Sequence, residues 1–328
     1  MSQELRWNPL LSEWTIISGG RQERPWREAQ CPFCPGGPET QGDWNVLCVP
    51  NRFPALSPDA PEVSEASPYV KSRAVGLCEV IVETREHEGD FHNMSLTQVS
   101  DFIHLLADRT KELNSLRYVK QVMPFKNKGA LIGVSLTHPH SQLYALPFIP
   151  PRVKREIASA RRFKTMHHRN LFEAILEWEI KDRSRLIYSN ERFTALLPFF
   201  GMWPFETHIY TPNRLSSLAD LDEQSQLMLA DVIRVTTATY EEQFGKDCAY
   251  IMVFHQAPSK GDYRDYRLHL EFYTPHVSRD RIKYAAGIEW GAGTFTYDGV
   301  PEERASILRE SAGKALKKIE CLGKVVKQ

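Results

Sequence analysis

The sequence predicts an α+β protein with more strand than helix, assembled from two related halves, residues 1–180 and 181–328. Three observations carry that expectation: ordered landmarks recur, short apolar runs suit strands, and each half holds one long helical pattern. The first copy opens with Asn51-Arg-Phe-Pro-Ala-Leu56 and passes the strand-like Cys78-Glu-Val-Ile-Val82. It then spaces Val99, Phe102, Ile103 and Leu106 at three- and four-residue steps within 96–118, which predicts a helix. It closes on His138-Pro-His-Ser-Gln-Leu-Tyr-Ala-Leu-Pro147. The second copy opens with Glu191-Arg-Phe-Thr-Ala-Leu-Leu-Pro198 and passes Glu206-Thr-His-Ile-Tyr210. A helical pattern over 220–243 follows, with Met228, Val232 and Val235, and then Leu268-His-Leu-Glu-Phe-Tyr-Thr-Pro275. Aligned this way, His138 and His140 correspond to His269 and Glu271. Two separate sheets and one extended sheet are both compatible with the repeat. Because Glu271 stands at the nucleophile position, only the first copy is expected to carry out chemistry.

Composition excludes several classes. Lys+Arg and Asp+Glu each total 41 in 328 residues, so the formal charge is zero and no nucleic-acid or acidic-membrane partner is expected. No apolar run approaches the roughly 18 residues that span a bilayer, and the first residues lack a signal-peptide profile. Six cysteines are too sparse for a disulfide scaffold, and Cys31-Pro-Phe-Cys34 suits metal ligation in a reducing compartment, which predicts the cytoplasm.

The chemistry concentrates at His138-Pro-His-Ser-Gln142. In an extended segment side chains alternate, so His138, His140 and Gln142 would share one face, a polar row no core requires. One imidazole can attack phosphorus while a metal fixes the other, which predicts nucleotidyl transfer through a covalent histidine. Cys31 and Cys34 supply half of a tetrahedral zinc site. His138 is a candidate third ligand and His87 a fourth; a surface histidine in a polar loop is the competing reading of His87. His255, His269 and Glu271, with Glu156 more distant, suit a divalent metal or a hydrogen-bonded buried cluster. Arg21 and Arg24 could clamp one anion or lie in solvent. His167 and His168 belong to a solvated basic face, and His104 to a helix.

These residues fall within ordered landmarks: Arg6-Trp-Asn-Pro-Leu with Trp14, Arg21-x-x-Arg-Pro-Trp26, Cys31-x-x-Cys34, Asn51-Arg-Phe-Pro-Ala-Leu56, Asn127-Lys-Gly-Ala, His138-Pro-His-Ser-Gln142, Trp203-Pro-Phe-Glu-Thr207, His269-x-Glu271 and Gly287-x-Glu289. In that order they resemble the galactose-1-phosphate uridylyltransferases of the histidine triad superfamily over almost the whole chain. The resemblance implies a duplicated histidine-triad-like fold of mainly antiparallel sheets with flanking helices. It implies His140 as nucleophile and a structural zinc on Cys31, Cys34, His87 and His138. It implies nucleotide contacts from Asn51, Arg52, Phe53, Asn127, Gly133, Ser135 and Gln142, and from Arg21 and Arg24 across a homodimer interface. Lys283, Tyr284, Gly287, Glu289 and Phe295 fall where relatives hold the sugar phosphate, also across the dimer. Glu156, His255, His269 and Glu271 match a second metal site, for iron or zinc. The chain departs from the pattern in four places. Some relatives have His-x-His at 269–271, aspartate at Arg52, an acidic residue at Lys126 and glutamine at Phe295. Ser141 occurs both in uridylyltransferases and in plant-type ADP-glucose phosphorylases.

The expected reaction is a two-step exchange of UMP between a nucleotide sugar, UDP-hexose, and a sugar 1-phosphate, with Gln142, Ser135 and the Asn127–Ser135 amides on the phosphoryl oxygens. Its rivals are an adenylyl-transferring phosphorylase and a non-catalytic zinc-stabilised nucleotide-binding module.

Overall fold

The computed structural model describes residues 3–23, 30–64 and 68–326, and the elements below are those of the described residues. Strand β1 (Gln3–Asn8) pairs with β2 (Glu13–Ser18) on one side and β4 (Lys71–Arg73) on the other in a small sheet. The first half also supplies β3 (Leu47–Pro50), β5 (Leu77–Val82), β6 (Gln121–Lys128) and β7 (His140–Leu146). From the second half come β8 (Leu186–Ser189), β9 (Thr194–Leu196), β10 (Thr207–Tyr210), β11 (Tyr250–His255), β12 (His269–Tyr273) and β13 (Lys324–Val325). Helix α1 (Leu96–Ser115) joins β5 to β6, and α4 (Glu223–Phe244) joins β10 to β11. Helices α2 (Pro151–His167) and α3 (Leu171–Asp182) lie between the two sets of strands, while α5 (Gly287–Ala292) and α6 (Pro301–Ala315) precede β13. None of these helices is long and apolar enough to cross a membrane.

The other ten strands form one sheet in the order β13-β8-β9-β10-β12-β11-β6-β7-β5-β3. The halves meet where β6 pairs antiparallel with β11, Phe125 opposite Val253 and Lys128 opposite Tyr250. Of the two arrangements the repeat allowed, the chain takes the extended sheet. The pairing removes the unpaired edge that each half would otherwise expose.

Both long helices start in the same way. A 3-10 turn capped by Asp90 precedes α1 and one capped by Ser217 precedes α4. Ser95 and Asp222 then accept from Gln98 N and Ser225 N, satisfying donors that a helix start leaves open. Helix α1 stops at Ser115, short of the expected 118, where Leu116 N turns back to the Leu113 carbonyl.

Alternation along the strands gives the sheet two different faces. Val122, Leu143, Ile209 and Leu270 lie under α1 and α4, in one core with Phe102, Ile103, Leu106 and Val232. Leu196 and Tyr210 point the other way and pack with Val153, Ile157, Phe172 and Leu176 of α2 and α3. On β7 that second face carries the polar His140 and Gln142, beside the apolar Val80 and Val82 of β5.

The repeat is real, but its register differs from the sequence alignment by two residues. Strands β7 and β12 begin at His140 and His269, and each ring donates from Nδ1 to the carbonyl two residues earlier, of His138 and Arg267. His269 therefore matches His140, and Glu271 matches Gln142. A two-residue slip keeps every side chain on its face, so hydrophobic pattern alone could not detect it.

Candidate active site

His138 is not on a strand. It sits in a bend before β7, fully buried, and the polar row begins at His140. From there Ser141, Leu143 and Ala145 are buried, while His140, Gln142 and Tyr144 face the other side. The His140 Nδ1 lies 2.8 Å from the His138 carbonyl. A carbonyl only accepts, so Nδ1 carries the proton and the lone pair of the neutral ring is on Nε2.

Beside this ring lies an open cleft. Its polar lining is Glu39, Asn51, Arg52, Ser135, His140 and Gln142, and its apolar walls are Pro32, Phe33, Phe53, Val80 and Leu136. Asn51 shapes the entrance: its Oδ1 accepts from Phe53 N at 2.9 Å, and its Nδ2 reaches Gln142 Oε1 at 3.5 Å. Arg52 lies 5.6 Å from the Phe53 ring centre. The 127–135 loop depends on two glycines. Gly129 has φ +98°, where a Cβ would come 2.7 Å from Ala249 Cβ, and Gly133 closes the turn at φ +76°. Arg21 donates to Tyr144 OH at 2.8 Å, at the far end of the row. The proposed clamp with Arg24 falls outside the described residues.

Cys31, Cys34, His87 and His138 converge, each with a ligand atom within 4.8 Å of the others. Cys34 Sγ is 3.3 Å from His87 Nδ1 and 3.7 Å from His138 Nδ1. His138 Nε2 donates to the Thr84 carbonyl at 2.8 Å, turning the Nδ1 lone pair toward the sulfurs. Burial, then Cys31, pushes the Cys34 thiol up. Two sulfurs and two imidazoles fit a closed tetrahedral metal site.

A second group gathers at the ends of β11 and β12, where Glu156, His255, His269 and Glu271 also lie within 4.8 Å. His255 approaches Glu156 at 3.1 Å and Glu271 at 3.2 Å. The mixed nitrogen and oxygen donors fit a divalent metal. Burial opposes the charge on Glu271, but His255 and His208 outweigh it and hold the carboxyl well below its usual range. The sequence did not single out His208, at 3.6 Å from Glu271, Arg152, at 3.0 Å, or the hydroxyls of Tyr273 and Tyr266 on Glu271 and Glu156. His208 comes from β10, Arg152 from α2, Tyr266 from the loop before β12 and Tyr273 from β12 itself.

The expected sugar-phosphate residues are grouped on 283–295 and are not among those lining the His140 cavity. Lys283 is buried against Asp298 at 3.0 Å and Glu289 at 3.6 Å. Glu289 accepts from Thr296 Oγ1 and Ala286 N, which bring its carboxyl down to about 2. Gly287 opens α5, Tyr284 projects into solvent, and Phe295 packs 5.9 Å from Trp203.

A sheet that presents one imidazole nitrogen to a polar cleft suits the transfer of a nucleotidyl group. The comparisons with known proteins make this specific. The galactose-1-phosphate uridyl transferase N-terminal domain pattern matches residues 1–150 and its C-terminal counterpart 156–320. A curated galactose-1-phosphate uridylyltransferase of Thermotoga maritima is 36% identical over 314 residues, 94% of this chain and 98% of that protein. A solved uridylyltransferase superposes with a TM-score of 0.90 at 36% identity, covering 95% and 99% of the two chains. An ADP-glucose phosphorylase of Arabidopsis thaliana shares the fold at a TM-score of 0.74 and 23% identity, over 94% and 99%. The chain belongs to the galactose-1-phosphate uridylyltransferase family.

Proposed function

We propose that this protein exchanges UMP between a UDP-hexose and a hexose 1-phosphate through a covalent uridylyl-His140. The observation that carries this reading is the His140–His138 carbonyl hydrogen bond, which directs Nε2 as the nucleophile. Nε2 attacks the α-phosphorus, the bond from phosphorus to the bridging oxygen breaks, and hexose 1-phosphate leaves with that electron pair. The cation developing on the ring is stabilised through Nδ1–H by the electron-rich His138 carbonyl. Gln142, Ser135 and the 127–135 backbone amides donate to the phosphoryl oxygens, each well-placed donor contributing about 3–4 kcal/mol. A second hexose 1-phosphate reverses the step. Zinc in the Cys31–Cys34–His87–His138 set would fix the bend that presents the His138 carbonyl, with no position left for substrate. An iron or zinc ion would suit Glu156, His255, His269 and Glu271.

We further infer a homodimer in which the 283–295 segment and Arg21 serve the partner's site; the exposed Tyr284, Ile288 and Trp290 support an interface there. The six cysteines are unpaired by disulfides, which supports the cytoplasm.

The test is incubation with UDP-glucose radiolabelled in its α-phosphate, followed by denaturing electrophoresis. Label should stay on the wild-type chain and be absent from His140→Ala; label on the variant refutes the assignment. The same assay with ADP-glucose reads the base preference.

A further inference from the structure

On the helix-side face of β7, between His140 and Gln142, Ser141 meets a buried ionic network outside the cavity. Its Oγ donates to Glu83 Oε1 at 2.5 Å, and Glu83 N donates to the Pro139 carbonyl at 3.1 Å. Glu83 is thus tied by side chain and backbone to both neighbours of the nucleophile. Its other oxygen pairs with Lys126 Nζ. Lys126, the residue before Asn127, reaches Asp90 at 3.0 Å and sits 4.0 Å from the Phe91 ring centre. Asp90 accepts from Tyr250 OH of β11 at 2.7 Å, caps the turn before α1, and has Lys128 at 3.7 Å. Glu83, Lys126 and Asp90 are all at most 2% exposed.

A buried ion network of this kind is a weak source of stability, because well-packed apolar side chains of equal volume are often as stable or more so. Its directional bonds can do what apolar packing cannot: fix how β5, β6 and the 138–142 segment sit against one another. We infer that Glu83, held by Lys126 and Asp90, is a positioning residue acting through Ser141 and Pro139. It sets the rotation of the His138–Gln142 backbone so that Nε2 of His140 meets phosphorus in line. This rests on His140 being the nucleophile.

The experiment measures single-turnover transfer of label from UDP-glucose to protein, alongside the equilibrium affinity for UDP-glucose and the melting temperature. Two variants are used: Ser141→Ala, and the paired Glu83→Leu/Lys126→Met with Asp90→Asn added to avoid a lone charge. Both should slow label transfer about ten- to a hundredfold, since small misplacements of reacting groups are costly. Affinity should stay within about twofold, the split that marks loss of a transition-state arrangement alone. The apolar variant should melt no lower than the wild type if the network adds no stability. Transfer at the wild-type rate in Ser141→Ala overturns the inference even where the triple variant does not fold. Rates that fall only in step with affinity or melting temperature also overturn it, leaving the network a structural role. A wild-type protein that takes no label sinks the His140 reading itself, a result distinct from either.

Discussion

Gln142 is the residue at which the cavity's polarity can be tested most directly. Its Oε1 is engaged by Asn51, which leaves the amide NH₂ to donate to the ligand. Gln142→Ala should lower turnover about a hundred- to a thousandfold, as loss of an oxyanion donor does, while calorimetry shows far less change in nucleotide-sugar affinity. Asp90 offers a pH test. Burial opposes its charge, but Lys126 and Lys128 prevail and bring its carboxyl from 3.8 down to about 2. A lowered carboxylate stabilises the folded state above its unfolded value, and that contribution disappears as the pH falls through the folded one. It is about 2 kcal/mol at neutral pH. Urea titrations should therefore show the wild-type advantage over Asp90→Asn steady above about pH 4 and shrinking toward pH 2; a constant difference contradicts the shift. Part of this residue-level picture was legible in the sequence: Cys31, Cys34 and His138 were grouped from side chain and spacing, while His87 was an open candidate that the family resemblance placed with them, and the four do converge. Phe33, Val80 and Leu136 were missed because apolar wall residues look like any core. Lys126 was visible as a departure, but its partner Glu83 lies 43 residues away, where no local pattern could point to it.

Among the elements, the 127–135 loop has the narrowest tolerance. Gly129→Ala combines a positive φ with a Cβ 2.7 Å from Ala249. It should cost about 1–3 kcal/mol in chemical denaturation, with a further loss of nucleotide affinity because the loop supplies Ser135. A result within experimental error of wild type would show that the loop relaxes freely. At the start of α4, Asp222 accepts from Ser225 N, and Asp222→Ala should lower the melting temperature. Helices α1 and α4 were readable from apolar spacing because their lengths let the period show. The start of β7 was not: with Pro139 in the chain and the His138 ring held by Cys34 and Thr84, the strand begins at His140, two residues later than alternation suggested. The two-residue register error in the repeat has the same origin, since a period of two cannot fix the phase.

For the whole molecule, the β6–β11 pairing decides how many parts the protein has. A single continuous sheet should unfold in one calorimetric transition. Two resolved transitions would mean the halves are only loosely joined. The proposed homodimer predicts twice the chain mass by light scattering. Sequence gave no sign of the seam, because strand pairing across halves is made by backbone groups that every residue carries. The order of strands along that sheet also assigns the molecule a weak end and a strong one. Strand β13 is held by two residue pairs at one margin, seven places from β7, so tension on the C-terminus would peel the sheet like a zipper from β13 inward. The cavity beside His140, near the opposite margin, would be among the last parts to open.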